Sequence, residues 1–346
     1  LSERNVLSSK RPLSVAGQVL VLQLVVMAVV VLAPGLLCTS NWDQCGFQSL
    51  RLQERRIDPK GVGWSIDANG VGAVVDSTAM NASSVTLDDI VAAHRLLRDR
   101  NPLVQCLTNT VSVQFVANAL LAAGAAPAMV DNPEEAAGFA EIADAVLVNL
   151  GTPTAAQVES SRLASAAARA AEKPWVLDPV GAGGLPWRTQ VAVEILANRP
   201  SVIRANASEV MGLAGAEGGS RGVDSSAHVA DSVDAARSLL DRAEVVAASG
   251  EVDHIFAQGS TVKIGGGSAL LQRVTATGCA LGALTAAYCS VSPSALIGAV
   301  AAHAHVAVAS EIAARSTSRP GTFAAVFLDG LDAVDESALR ELVRLD

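Results

Sequence analysis

Six short stretches place chemically capable residues beside apolar runs. The first is Ala276-Thr277-Gly278-Cys279-Ala280-Leu281-Gly282. Small residues opening a helix let backbone N–H groups approach a phosphate, and the positive helix end favours negative charge. This is an anion hole in the chemical sense. Cys279 falls in the first turn, where a helix dipole can depress a thiol pKa and a sulfur can face a substrate hydroxyl as a base. A buried Cys acting as a small hydrophobe is the plainer account of such a residue.

Asn206-Ala207-Ser208-Glu209 follows an apolar run ending at Arg204. An amide and a carboxylate three residues apart at a helix start share one face. Together they suit Mg²⁺ on a nucleotide phosphate, or they simply cap the helix. Asp178-Pro179-Val180-Gly181 puts an acid at a strand end, placed either for metal contact or as turn chemistry. Thr108-Asn109-Thr110-Val111 and Pro127-Ala128-Met129 also lie at strand ends, so Asn109 and Met129 can line a small apolar pocket. Met in such a wall is as readily plain packing. Arg204 can pair with nucleotide phosphate, and Ser249-Gly250-Glu251 can touch nucleotide. His303 and His305 are two apart and point to different helix faces, which makes them core or surface residues rather than a joint metal site.

These residues need a scaffold that presents strand ends together. From Leu103 onward short apolar runs alternate with amphipathic stretches. The expected strands are Leu103–Leu107, Pro127–Val130, Ala145–Asn149, Trp175–Leu177, Val202–Arg204 and Val245–Ser249, with a hairpin at His254–Gln258 and Thr261–Ile264. The expected helices are Gln114–Ala123, Pro133–Ile142, Thr154–Glu172, Val191–Ala197, Ser208–Leu213, Ala230–Arg242, Ala280–Cys289 and Pro293–Ala314. Thr86 with Asp89 is expected to cap a helix running to about Arg98. Strict alternation implies an α/β fold, a mostly parallel sheet with helices on both faces. Ligands in such sheets bind beyond the carboxyl ends of the strands.

Composition agrees. Half of the 346 residues are hydrophobic, 17% are charged and 3% are aromatic. Ala, Val and Leu must therefore fill a large core. A net charge of −9 with no Lys/Arg run counts against nucleic acid as a partner and favours a small ligand. Five irregularly spaced cysteines without a CxxC pair fit neither a disulfide framework nor a structural zinc site, and suit a reducing cytoplasm.

The first eighty residues differ. Arg4, Lys10 and Arg11 precede the apolar run 15–38, which has the pattern of a signal peptide or short anchor. Residues 39–79 show no sustained period and read as a linker. A plausible start methionine, Met80, precedes the capped helix. Residues 1–79 are thus expected to be an extension outside the fold, and 80–346 the functional domain. An export signal or membrane tether is the alternative.

The ordered set LTNTV (107–111), GAAPAMV (124–130), LVNLGT (147–152), WVLDPVGAG (175–183), IRANASEVMGLAG (203–215), SGEVD (249–253) and ATGCALGAL (276–284) resembles the hydroxyethylthiazole kinase family. That family is a branch of the ribokinase-like superfamily, and the resemblance runs from about Pro102 to Leu331. It implies transfer of the ATP γ-phosphate, with Mg²⁺, to the primary hydroxyl of 4-methyl-5-(2-hydroxyethyl)thiazole, in thiamine salvage. It implies a catalytic role for Cys279, where most ribokinase-like kinases carry Asp. Met129, Ala276 and Asn109 would contact the thiazole; Arg204, Ser249 and Gly278 would contact ATP; Asp178 and Glu209 would support Mg²⁺. The family's members are typically homotrimers with the thiazole site near a subunit boundary. Two departures stand out. Ser249 replaces the usual Thr and keeps the hydroxyl. Ala276 replaces the usual Gly and would be strained if that position needs positive φ. A related kinase of hydroxymethylpyrimidine, or a non-catalytic binding relative, is the competing account.

Overall fold

The computed structural model describes residues 64–66, 72–74, 85–215 and 232–346. The chain divides into two units, Leu1–Thr78 and Ala79–Asp346. In the first, strands β1 (Trp64–Ile66) and β2 (Gly72–Val74) pair antiparallel. Both strands fall within residues 39–79, which the sequence reads as a linker. Three residues on each side are too few to show a period in the sequence. The apolar run 15–38, Met80, Cys38 and Cys45 lie outside the described residues.

The second unit opens with helix α1 (Leu87–Arg100). Thr86 accepts the Asp89 N–H while the Asp89 carboxylate accepts the Thr86 N–H, the reciprocal cap that the sequence signals. Then follow β3 (Leu103–Leu107), α2 (Val113–Ala123), β4 (Ala126–Ala128), α3 (Pro133–Ile142), β5 (Ala145–Asn149), α4 (Ala155–Ala170), β6 (Trp175–Asp178), α5 (Pro186–Ile195), β7 (Val202–Asn206), α6 (Ala207–Leu213), α7 (Val233–Leu239) and β8 (Val245–Ser249). The hairpin strands β9 (Asp253–Ala257) and β10 (Ser260–Gly265) come next. The chain closes with α8 (Thr277–Val291), α9 (Ala295–Ser316), α10 (Pro320–Ala333), α11 (Glu336–Leu342) and β11 (Arg344–Leu345).

Helix α5 begins five residues before the expected Val191, at Pro186. Pro at a first helical position is the same start signal that Pro133 gives for α3. The start of the helix expected at Ala230 lies outside the described residues. From Ser232 onward the helix runs only to Leu239.

One sheet of nine strands runs β11-β10-β9-β8-β7-β6-β5-β3-β4. Strands β4, β3, β5, β6, β7 and β8 are parallel, and β9, β10 and β11 add an antiparallel edge. Strand order reverses at β3: β4 lies on one side of it and β5 on the other. The crevice at such a reversal is where ligands enter open α/β sheets.

Strand side chains alternate between two cores, as the two-residue pleat requires. On β5, Ala145 and Leu147 join one core, with α1, α2, α8, α9 and α10. Val146 and Val148 join the other, with α3 to α7. Val245 and Ala247 against Val246 and Ala248 repeat the pattern on β8. Helix α9 is long and apolar enough to cross a membrane by composition, yet most of it is buried among its neighbours. His305 on α9 binds the Tyr288 hydroxyl at 2.8 Å and the Leu331 carbonyl at 2.9 Å, so it pins the core between helices.

Candidate functional site

The carboxyl ends of β3, β5, β6, β7 and β8 carry Asn109, Asn149, Asp178, Arg204 and Ser249, and α8 starts above them. Asp178 is fully buried at the end of β6. Its Oδ2 accepts the Asn149 amide at 2.7 Å and lies 3.7 Å from the Arg204 guanidinium. Its Oδ1 is buried with no protein partner. A buried acceptor left bare costs about 1–3 kcal/mol. Burial raises the Asp178 carboxyl to about 7; Arg204 opposes the rise, Glu209 adds to it, and the Asn149 bond opposes it.

A row of hydrogen bonds leads away from Asp178. The carboxylate only accepts, so Asn149 must turn its NH₂ toward Asp178. The Asn149 oxygen then accepts the Gly151 N–H at 3.0 Å and the Asn109 amide at 2.8 Å. The Asn109 oxygen accepts the Val111 N–H at 3.1 Å. The Asn109 NH₂ also donates to Cys279 Sγ at 3.4 Å. One acid and two backbone N–H groups thus fix the direction of the whole row.

On the other side of Asp178, Arg204 Nη2 donates to Ser249 Oγ at 2.8 Å. Gly278 faces Arg204 so closely that a Cβ at 278 would stand 3.0 Å from Nη1. Any larger residue would displace the guanidinium. The first-turn N–H groups of α8 have no partner within the helix, and no side chain caps this end. Ala276, the residue before α8, has φ 73° and ψ −5°. That is the left-handed conformation the sequence made conditional, and it costs a residue with a Cβ about 1–2 kcal/mol.

Cys279 is partly buried. Burial, and then the charge of Asp178, push its thiol above the usual range; bonds from Asn109 and Ser112 and the charge of Arg204 oppose this. The depression that a helix dipole can give is therefore not the outcome: desolvation and a facing carboxylate outweigh it.

Glu209 takes the alternative account that the sequence left open. Asn206 Oδ1 accepts the Glu209 N–H at 2.9 Å and Glu209 Oε2 accepts the Asn206 N–H at 3.0 Å, a capping box. Oε1 accepts the Gly181 N–H at 2.9 Å, which ties the loop after Asp178 to α6. Gly183, at φ 85°, lies against Gly212, where a Cβ on either would meet the other's backbone within 2.7 Å. Burial raises the Glu209 carboxyl; the two backbone bonds, then Arg204 and Arg188, oppose the rise.

The structure thus brings Asn109, Asp178, Arg204, Ser249, Gly278 and Cys279 into one connected set, with Glu209 bracing the Asp178 loop. Met129 stands beyond β4, packed partly against the core. Its segment is held by Gln105, whose amide donates to the Val130 carbonyl at 2.9 Å. Asn149 and Gln105 were not singled out from sequence. A lone polar residue inside an apolar strand was the available signal for both. His303 and His305 are both buried core residues, as expected. Among the described residues no cluster of three metal-ligating side chains occurs. Asp178 Oδ1, beside a braced loop, nevertheless fits a hard cation that keeps most of its waters.

Comparisons with known proteins point to one family. The hydroxyethylthiazole kinase family model matches residues 94–337. The chain is 52% identical to a hydroxyethylthiazole kinase of Rhodococcus erythropolis over 270 residues, 77% of this chain and 96% of that protein. It is 54% identical to the corresponding kinase of Kineococcus radiotolerans over 252 residues, 72% of this chain and 92% of that one. The solved structure of a hydroxyethylthiazole kinase protein from Pyrococcus horikoshii superposes with a TM-score of 0.69 at 34% identity, covering 75% of this chain and 98% of that one.

Proposed function

The chain belongs to the hydroxyethylthiazole kinase family, an ATP-using branch of the ribokinase-like fold, and from that premise we propose the reaction and its residue roles. ATP gives its γ-phosphoryl group to the primary hydroxyl of 4-methyl-5-(2-hydroxyethyl)thiazole in thiamine salvage. The bond from Pγ to the bridging oxygen breaks with its electron pair staying on ADP, the hydroxyl oxygen bonds to Pγ, and the hydroxyl proton passes to a phosphoryl oxygen and on to solvent. ADP and the phosphate ester are the products.

The observation that carries this reading is the continuous polar row from Cys279 through Asn109 and Asn149 to Asp178, continued by Arg204 and Ser249. Arg204 and Ser249 bind the nucleotide, and Gly278 leaves room for the guanidinium. The open N–H groups at the start of α8 receive the phosphoryl oxygens as charge builds. Asp178, with its bare Oδ1, would hold Mg²⁺ directly or through water, and Glu209 would support it by fixing the Asp178 loop. Bound there, the ion would neutralise phosphate charge. The alcohol lies between Cys279 and the β3–β4 side of the crevice, with Asn109, Ala276 and Met129 as its walls.

Cys279 orients the hydroxyl rather than ionising first. Its thiol is held up by burial and by Asp178. Phosphoryl transfer runs through a loose transition state in which the hydroxyl loses its proton late, so a weak acceptor suffices. Exposed apolar side chains beside this crevice, Val111 and Val113, support a subunit boundary there and a homotrimer. A cytoplasmic location belongs to the same reading.

The test is ADP release by the purified protein with a panel of thiazole and pyrimidine alcohols, with products identified by mass. The thiazole ester should form in step with ADP, and only with Mg²⁺. Preference for the pyrimidine would establish the competing kinase. No turnover with any alcohol would leave a binding protein.

A further inference from the structure

The turn between β8 and β9 spans residues 249–253 and begins with Ser249, which takes the Arg204 N–H. Such a turn, with Glu251 and Val252 exposed at its tip, has few packing contacts of its own. Beyond the β8–β9 pairing that flanks it, which reaches Ala248 opposite His254, it is braced by a side-chain bond, the Gly250 N–H to Asp253 Oδ1 at 2.9 Å. The other carboxylate oxygen, Oδ2, meets His303 Nδ1 at 2.6 Å. His303 stands within the 22-residue helix α9, and its side chain is 0% exposed against 19% for Asp253. The carboxylate that braces the turn is thereby tied to α9 through the imidazole.

The geometry of His303 is specific. A carboxylate only accepts, so Nδ1 carries the proton. Nε2 is buried with no protein partner. An unsatisfied buried polar group costs about 1–3 kcal/mol. The neighbouring α9 positions, Val300, Ala301, Ala302 and Ala304, are aliphatic. Leu at 303 would fill an apolar position without that cost. The imidazole is therefore explained by what Nδ1 holds, a short charge-assisted bond.

We propose that His303, acting through Asp253, is a positioning residue for the nucleotide-facing turn; the inference rests on the reading that Arg204 and Ser249 meet ATP. With the bond in place, Asp253 is fixed from the helix side. Its free oxygen then holds the Gly250 N–H and sets where Ser249 presents its hydroxyl to Arg204. Without it, the carboxylate rotates to water and the turn loosens, while the alcohol side of the site, on β3, β5 and α8, is undisturbed.

The experiment uses the full-length protein and reads two quantities: hydrogen exchange at the Gly250 amide, and KM for Mg·ATP and for the thiazole alcohol. His303→Leu should speed Gly250 exchange and raise the ATP KM by about tenfold each, with kcat and the alcohol KM within about twofold. His303→Asn, whose amide N–H stands in for Nδ1–H, should restore both. If His303→Leu fails to fold, Asp253→Asn at the partly exposed partner carries the same test. Unchanged Gly250 protection would overturn the clamp. Faster exchange with an unchanged ATP KM would overturn its role in positioning, provided that Ser249→Ala and Arg204→Ala still raise that KM. If those two controls also leave the ATP KM unchanged, the nucleotide assignment itself has failed. A parallel loss in every kinetic constant and in Tm would reduce His303 to a structural residue.

Discussion

The two ends of the parallel strands differ in a way that separates hollow from site. At the amino ends, a cleft of about 400 Å³ is lined by Arg169, Lys173, Arg199, Glu172 and Glu244. Its charges are largely exposed, and two already have partners: Arg169 donates to the Ala197 carbonyl at 2.8 Å and Arg199 to the Asp241 carbonyl at 3.1 Å. At the carboxyl ends the open space beside Asn109 and Asn149 is only about 10 Å³. Yet that end buries Asp178 and Glu209, leaves an Asp178 oxygen bare and holds Ala276 in a left-handed conformation. Desolvated charge lacking a partner marks chemistry better than volume does.

The comparison is broken most easily at Cys279. Cys279→Ala should lower kcat by about 10²-fold, because the alcohol loses the sulfur that orients it for attack. Cys279→Asp should retain activity. Lys173→Ala at the amino end should leave kcat and both KM values within about twofold. If Cys279→Ala turns over normally while Cys279→Asp fails to fold, Cys279 is a buried structural thiol.

A step smaller, Arg204→Ala should raise the ATP KM by about tenfold or more, because it removes a charge-assisted phosphate contact. Glu209→Gln should weaken Mg²⁺-dependent turnover more than it lowers Tm, since the amide keeps the volume but serves two backbone N–H groups poorly. Equal Mg²⁺ titrations for wild type and Glu209→Gln would remove Glu209 from the account.

Stability against pH sharpens the contrast between buried groups. The Asp178 carboxyl has its folded value raised from 3.8 to about 7 in the ligand-free protein. Folding then binds an extra proton between those values. This contribution to stability is complete below pH 3.8 and is lost as pH rises toward 7. His305 runs the other way: burial first, then His94, lower it from 6.5 to about 3. Its contribution is complete above pH 6.5 and is lost as pH falls toward 3. Asp178→Asn should therefore raise the metal-free Tm by a few degrees at pH 8 and leave it nearly unchanged at pH 4. A lower Tm at pH 8 would contradict the assignment of Asp178 as a strained group.

The smallest effect is at Ala276. Ala276→Gly should stabilise the protein by about 1 kcal/mol, because glycine adopts φ 73° without the Cβ penalty. Unchanged or lower Tm would mean that the loop is held by something other than local strain.

How much the sequence disclosed follows from how local each signal is. The Thr86–Asp89 box, Pro133 at a helix start and Gly124 at a helix end are local signals, and the elements they bound stand where they put them. Asn149 was invisible as a functional group because its role comes from Asn109 and Asp178, 40 and 29 residues away. The direction of the Cys279 shift was left open for the same reason: the dipole is legible in a helix start, whereas burial and the facing Asp178 exist only once the sheet has formed. The Ala276 conformation was legible as a condition, through a residue standing where glycine is usual.

The central claim is that the bare oxygen of Asp178 marks the place where Mg²⁺ and nucleotide meet. Calorimetry of a non-hydrolysable ATP analogue, with and without Mg²⁺, tests it on wild type and Asp178→Asn. The account predicts that Mg²⁺ tightens analogue binding to wild type and has little effect on a folded Asp178→Asn. Equal Mg²⁺ enhancement in both proteins would contradict it.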